Sequence, residues 1–111
     1  LDNGQGASIE LDKIPLLPGA RESIVQGVYS TMHEVNSQAK SAIGQIAARA
    51  DPAALELLVD PQTSGGLLIG IGADKADELC AALRLAGYQS TAIIAQVTAG
   101  DTGTAGRLEI N

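Results

Sequence analysis

The sequence predicts an α+β domain in which a mixed β-sheet is covered by α-helices, and three observations support this class. Residues 7–11 alternate between small or apolar and polar side chains, as a strand with one buried face does. Residues 67–71 form an apolar run next to glycines, and residues 91–97 are rich in β-formers. The 111 residues fit one domain and are enough to bury about two-thirds of the unfolded surface.

The N-terminal part is predicted to contain one strand and one helix. The strand at 7–11 is expected to end at the Ile14-Pro15 turn, because proline disfavours a helical residue before it. Residues 18–27 predict a helix with proline at its first position, where the missing N–H donor would have no intrahelical partner anyway. Residues 28–35 show no clean period, which indicates a loop.

The central part is predicted to be helical. Asn36 is a good N-cap residue, and apolar side chains at helical spacing predict a helix over 36–50. Gly44 weakens such a helix, so we expect a close helix–sheet contact there. Asp51-Pro52 combines a capping carboxylate with proline at the first helical position, which predicts a short helix over 53–58.

The C-terminal part is predicted to alternate strands with one clear helix. Residues 67–71 are expected to form a strand buried on both faces. Asp74, with Asp77 at the capping-box position, predicts the start of a helix that Gly87 closes. Residues 91–97 predict a strand, residues 98–106 a turn, and residues 107–110 a strand that pairs back as a hairpin. The apolar stripe of the helix is predicted to comprise Ala76, Leu79, Cys80 and Leu83.

Composition argues against several functions. Tyr29 and Tyr88 are the only aromatic residues, too few for base-stacking platforms or methyl-ammonium cages. The net charge of −6 repels a nucleic-acid backbone, and no basic cluster offsets it. We therefore expect no nucleic-acid partner.

The single cysteine and the hydropathy pattern predict a cytoplasmic protein. Cys80 has no disulfide partner, and within an apolar helical pattern it is expected to be a small buried residue rather than a reactive thiol. No apolar run is long enough to span a bilayer, so no membrane partner is expected. The chain begins at Leu1 without a methionine, which is typical of an excised fragment.

The loop 62–66 contains the residue types most suited to binding an anion. Thr63 and Ser64 offer two hydroxyls that donate hydrogen bonds. Gly65 and Gly66 let backbone N–H groups approach a ligand closely. A P-loop would add a lysine and a following helix, and this sequence has neither there. An ordinary helix-to-strand turn uses the same residues, so both interpretations remain open from the residues alone.

Two further residues, one before the loop and one at its start, are candidate ligand contacts. Asp60 is placed to cap the loop or face a cation, and Gln62 to orient a water molecule or a substrate group. Whether they contact ligand is left open by their chemistry alone.

The segment 58–69, LVDPQTSGGLLI, resembles the signature of the C-terminal domain of selenide, water dikinases, within the AIR-synthase-related family. The likeness extends more weakly to residues 14–20, IPLLPGA, and to residues 30–36, STMHEVN. The latter is closer to the form found in dikinases fused to a flavin-dependent oxidoreductase.

This resemblance implies a larger enzyme that phosphorylates selenide with ATP to give selenophosphate, AMP and phosphate, using Mg²⁺. The chain is then a single C-terminal domain, 1–111, with a clipped first helix, forming one wall of the active-site cleft. The reactive Cys or selenocysteine, the lysine and the Mg²⁺-binding aspartates of the family belong to an N-terminal domain, its implied partner. The intact enzyme is expected to be a homodimer, and the fragment inactive, with no catalytic or metal-binding residue and no tightly bound cofactor of its own.

His33 and Asn36 complete the predicted cleft residues, which are Asp60, Gln62, Thr63, Ser64, Gly65, Gly66, His33 and Asn36. A lone His33 does not make a zinc site and lacks an evident orienting carboxylate, so it is either a polar contact to nucleotide or an exposed loop residue. Asn36 is either a helix cap or a ligand. Two other functions remain possible: a non-catalytic interaction module, or another ATP-using AIR-synthase-related enzyme.

Overall fold

A four-stranded mixed sheet organises the part of the chain that the computed structural model describes, residues 4–99 and 107–111. Its strands lie in the order β2-β4-β1-β3. β1 pairs antiparallel with β3 and parallel with β4, and β4 pairs parallel with β2. The strands are β1 (Gln5–Ile9), β2 (Ile43–Ile46), β3 (Ala95–Ala99) and β4 (Leu108–Ile110). The predicted α+β class with a mixed sheet is therefore confirmed, whereas its likeness to the AIR-synthase-related domain stays a prediction.

Within the described residues, four α-helices and two short 3-10 segments accompany the sheet. The helices are α1 (Ala20–Val25), α2 (His33–Ser37), α3 (Pro52–Leu57) and α4 (Ala73–Leu85). The 3-10 segments span Leu11–Lys13 and Gln38–Ala42. No helix in the described ranges is both long and apolar enough to cross a membrane.

The core is small and lies where β4, α3 and the first 3-10 segment meet. Its buried residues are Leu11, Ala54 and Ile110, and Ile110 is only 1% exposed. The chain exposes 8008 Å², roughly 40% more than the ~5,700 Å² typical of a folded monomer of this size. About half of the unfolded surface is buried, less than the two-thirds that the length predicts.

Local capping signals were predicted correctly at two helix ends. Asp51 Oδ1 accepts a hydrogen bond of 3.1 Å from the Ala53 N–H, and Pro52 opens α3. Gly87 ends α4 with a φ of +103°. The N–H groups of Gly87 and Tyr88 donate to the Arg84 and Leu83 carbonyls, as in a Schellman motif.

The apolar stripe of α4 is also confirmed. Cys80 is buried, and its Sγ lies 3.6 Å from the Thr91 carbonyl oxygen. The predicted cap is wrong: α4 begins after Gly72, and Asp74 lies inside the first turn without a capping hydrogen bond. The less exposed residues of α4 are Ala76, Leu79, Cys80 and Leu83, as predicted.

The long central helix predicted over 36–50 is wrong. Asn36 lies inside α2 rather than capping a helix, and Ile43–Ile46 forms β2. Pairing with β4 decides this outcome, because Ile43 lies opposite Leu108 and Ile46 opposite Ile110. Gly44 does provide a close contact, but with a side chain: a Cβ there would lie 3.1 Å from Arg107 Cγ.

Several element boundaries near the start of the chain also differ from prediction. Leu11 is buried at the start of a 3-10 segment instead of ending the first strand. Gly19, with a φ of +84°, is the N-cap of α1, so Pro18 precedes the helix rather than opening it. His33 starts α2 within the stretch expected to be loop.

The C-terminal strands differ from the predicted hairpin. β3 starts at Ala95, four residues later than expected, and includes the predicted turn residues Thr98 and Ala99. β4 does not pair with β3 but inserts between β1 and β2. Residues 100–106 of the predicted turn, and the clipped helix expected at Leu1, lie outside the described residues.

Candidate functional site

The signature loop, defined as Gln62–Gly66, is exposed along its whole length. It follows α3 by way of a turn in which the Val59 and Asp60 N–H groups donate to the Glu56 and Leu57 carbonyls. Among the described residues, no hydrogen bond ties Gln62–Gly66 to another segment, so its two hydroxyls face solvent. A Cβ at Gly65 would lie 3.2 Å from Gln62 Oε1, whereas Gly66 has open space around it.

The segment after the loop is not the buried strand that was predicted. Residues 67–71 pair with no strand in the described sheet. Leu67 is 93% exposed and Leu68 is 83% exposed, and Ile69 and Ile71 are also largely exposed. The apolar run therefore presents both of its faces to solvent, and the described strands provide neither hydrogen-bonding partners nor a covering layer.

Asp60 and Asn36 line the same open depression, of about 400 Å³. One wall comes from α2 and the following 3-10 segment, and the other from the chain that leaves α3. The structure thus brings two of the predicted site residues together where the signature loop begins. The remaining lining residues are Val35, Ala39, Leu58 and Val59.

His33 is buried rather than exposed, and it has a carboxylate partner that sequence reasoning missed. The residue is 7% exposed, and its Nε2 lies 2.8 Å from Glu56 Oε2. Lys40 Nζ donates to both carboxylate oxygens of Glu56, at 2.7 and 2.8 Å. The Tyr29 ring lies against the imidazole, with centroids 4.6 Å apart. We call His33, Lys40 and Glu56 the carboxylate clamp.

Within the clamp, both carboxylate oxygens of Glu56 have partners, whereas one ring nitrogen of His33 has none among the described residues. The hydrogen bond from Lys40 lowers the pKa of Glu56; burial opposes this, and the bond to His33 adds to it. Glu56 is thus held as a carboxylate that accepts three hydrogen bonds. His33 Nδ1, in contrast, is buried without a hydrogen-bond partner among the described residues.

A second ion pair anchors the other end of α3. Arg21 Nε lies 2.6 Å from Asp51 Oδ2, and this hydrogen bond lowers the pKa of Asp51 and raises that of Arg21. The pair is largely exposed, so its contribution to stability is screened by solvent.

The cation of the clamp is not free to neutralise an added anion. Lys40 is already paired with Glu56, and Asp60 adds a negative charge to the rim of the depression. The described residues include no group of three His, Cys, Asp or Glu side chains able to hold a metal ion. The arrangement can therefore donate hydrogen bonds to a phosphate from its loop, whereas the lysine of the clamp is already paired with a carboxylate.

Comparison with known proteins gives a consistent result, although no family model matches the chain. It is 31% identical over 94 residues to the selenide, water dikinase of Burkholderia orbicola. That match covers 85% of this chain and 27% of the relative. It is 36% identical over 94 residues to the one from Clostridioides difficile, covering 80% and 26%. It is 40% identical over 77 residues to the one from Caldanaerobacter subterraneus, covering 67% and 22%.

These matches cover most of the chain but little of each relative. The chain spans about a quarter of the length of the curated relatives it matches. A contiguous match over 85% of the chain must include both the signature loop and the clamp. The shared region is thus not limited to one short motif.

Proposed function

Because the chain is homologous to selenide, water dikinases, we propose that it is the C-terminal domain of such an enzyme. In this proposal the intact protein converts selenide and ATP to selenophosphate, AMP and phosphate, and this domain forms one wall of the cleft. The observation that carries the proposal is the signature loop, which follows a helix held at its last turn by the clamp yet leaves its own hydroxyls and glycines unengaged within the described part of the chain.

The loop is chemically suited to contact phosphate oxygens. Thr63 and Ser64 each carry a hydroxyl donor, and the two glycines leave backbone N–H groups accessible. Asp60, Asn36 and Gln62 lie beside or within the loop and supply further polar groups. We assign the hydroxyls, the backbone N–H groups, Asn36 and Gln62 to positioning of the substrate phosphates rather than to the transfer itself. Asp60, whose carboxylate would repel a phosphate, is assigned to capping the loop or facing a cation.

In this proposal, the positive charge that offsets the phosphates comes from outside this domain. The chain carries a net charge of −6, and the clamp lysine is already paired. Mg²⁺ would offset the charge of the phosphates when bound, and the rest of the enzyme, including an N-terminal domain, would hold it. The proposal also includes a cytoplasmic location and a homodimeric intact enzyme.

Substitutions in the loop test this assignment in the full-length protein that carries the chain. Thr63→Ala and Gly65→Val should each lower selenide-dependent AMP formation by roughly tenfold or more, because positioning contacts are lost. The melting temperature should stay close to wild type, since the loop makes no contact with the described core. Thr63→Ser should retain most of the activity. Thr98→Ala removes an exposed hydroxyl from β3 and is the matched control.

Three outcomes separate the proposal from its alternatives. Full activity of both loop variants would show that the loop is an ordinary turn. AMP formation that requires an acceptor other than selenide would identify a different ATP-using enzyme. An absence of ATP turnover with any acceptor would favour an interaction module.

The isolated 111 residues provide an independent test. They should bind Mg-ATP weakly or not at all, because the loop lacks a cation. Isothermal titration calorimetry with Mg-ATP measures this directly. Tight binding by the chain alone would contradict the proposed division between the two domains.

A further inference from the structure

We propose that the carboxylate clamp is a positioning device: His33 and Lys40 hold Glu56 so that the signature loop leaves α3 in a fixed position relative to Asn36. This inference deepens the proposed function and rests on it, because the loop is the part assigned to the substrate phosphates. His33 is thereby a positioning residue rather than a direct contact to the nucleotide.

The clamp joins segments that are distant in sequence. His33 starts α2, Lys40 lies in the 3-10 segment after it, and Glu56 lies in the last turn of α3. Their three hydrogen bonds span 2.7 to 2.8 Å. Because one carboxylate accepts all three, displacing either donor releases a constraint between α3 and the residues that precede β2.

Both sides of the clamp continue directly into the depression. Asn36 follows His33 by one turn of α2 and lines one wall. Asp60 lies four residues after Glu56 and lines the other wall. The Val59 N–H donates to the carbonyl of Glu56 itself, at 3.2 Å. The clamp residue thus also anchors the turn from which the loop begins.

His33 is poorly explained as a simple packing residue. Its Nδ1 is buried without a partner in the described part of the chain, which opposes folding, whereas an apolar side chain of similar size would leave no such atom. Its Nε2 contact with Glu56 is the feature that an apolar residue could not provide. A buried polar atom without a partner among the described residues calls for an explanation other than packing, and the bond between Nε2 and Glu56 provides one.

The test uses paired variants of the full-length protein. His33→Leu and Lys40→Met each remove one donor while largely preserving side-chain volume, and His33→Gln and Lys40→Arg each retain a donor. Arg21→Met breaks the ion pair at the opposite end of α3 and is the matched control. The readouts are KM and kcat for Mg-ATP in the selenide-dependent reaction, and amide hydrogen exchange of residues 58–66.

The expected result is a positional effect specific to the clamp. His33→Leu and Lys40→Met should lower kcat/KM by roughly ten- to hundredfold, mainly through a higher KM, and speed amide exchange over residues 58–66. The conservative variants should stay within about threefold of wild type, and Arg21→Met should alter neither readout. If His33→Leu or Lys40→Met folds poorly, the donor-retaining variants His33→Gln and Lys40→Arg can still be compared with wild type.

Two results would overturn the proposal. Exchange at residues 58–66 could be unchanged in both donor-removing variants, or Arg21→Met could have the same effect as they do. Failure of the proposed function is distinguishable, because wild-type protein would then show no selenide-dependent turnover while the exchange measurement would still report on the clamp.

Discussion

The carboxylate clamp and the segment 62–71 are connected through the end of α3 but differ in burial and in hydrogen bonding. Glu56 accepts three hydrogen bonds and is about 29% exposed. Six residues later the chain becomes exposed, and Leu67 and Leu68 are 93% and 83% exposed. The first region is held by polar contacts between distant segments, whereas the second has the composition of a core strand without a covering layer.

This difference indicates that the clamp anchors the chain, whereas the loop is free to bind a ligand. A loop that binds substrate phosphates needs free donors, and a loop whose donors were already satisfied within the domain would have none to offer. The anchoring contacts instead act one step before the loop, on α3. The exposed apolar run that follows gives no reason to assign the loop a role in the core of the described domain.

The largest expected effect contrasts the core with the exposed run. Ile110→Ala should destabilise the chain by about 2–5 kcal/mol, because it leaves a cavity at a position that is 1% exposed. Leu68→Ala should change stability by less than about 0.5 kcal/mol, since that side chain is already in solvent. Urea unfolding monitored by circular dichroism measures both. A comparable loss from Leu68→Ala would mean that residues 67–71 are part of the core.

Gly87 and Gly70 should differ in the same direction, but by less, in how much an alanine substitution lowers stability. Gly87→Ala should destabilise by about 1–2 kcal/mol, because a φ of +103° is unfavourable for a residue with a Cβ. Gly70 has no positive φ and open space around it, so Gly70→Ala should stay within about 0.5 kcal/mol of wild type. Thermal unfolding of the two variants provides the measurement. Equal losses would contradict the difference in local constraint.

Acidification should weaken the clamp selectively. Because Lys40 lowers the pKa of Glu56, the folded state binds this proton less tightly than the unfolded state does. The stabilisation is fully present above about pH 4.3, the ordinary pKa of a glutamate, and is lost as pH falls through the lower folded-state pKa. Glu56→Gln should thus be less stable than wild type at pH 6, and the difference should shrink towards pH 3.

Urea midpoints of the two proteins across this pH range test the effect. The pKa of Asp51 is also lowered, but Asp51 is present in both proteins and its contribution cancels in the difference. A stability difference that did not change with pH would exclude a charged clamp.

The smallest expected effect is at the exposed ion pair. Asp51→Asn should retain the cap of α3, since an amide oxygen also accepts the Ala53 N–H, while losing the charge that faces Arg21. Asp51→Ala removes both and should lower the melting temperature further. If Asn were as destabilising as Ala, the ion pair rather than the cap would be the important contact.

Several local signals could be interpreted from the sequence, although the predicted Asp74 cap was wrong, and the long-range pairings could not be predicted. The Asp51-Pro52 cap, the Gly87 terminus and the stripe containing Cys80 depend on neighbours within a few residues, and all three were predicted correctly. Ile43 was assigned to a helix because its pairing with Leu108, 65 residues later, leaves no trace in the local pattern. Helical spacing and a short strand are difficult to distinguish in such a segment.

In the candidate site, too, local features could be predicted from the sequence and long-range contacts could not. The signature loop was predicted from its own hydroxyls and paired glycines together with the family resemblance, and its role as a phosphate site stays a prediction. Glu56 was missed as the partner of His33 because 23 residues separate them, and only the position of α3 brings them together. The only sequence signal was a glutamate in a predicted helix, which is usually a solvent-exposed residue.

The central claim is that an anchored α3 presents a free loop to the substrate phosphates. Amide hydrogen exchange of the full-length protein, with and without Mg-ATP, tests it most directly. The expected result is that nucleotide slows exchange over residues 62–66 while exchange in α3, already protected, changes little. Saturating Mg-ATP that left residues 62–66 unaffected would contradict the assignment of the loop to the phosphate site.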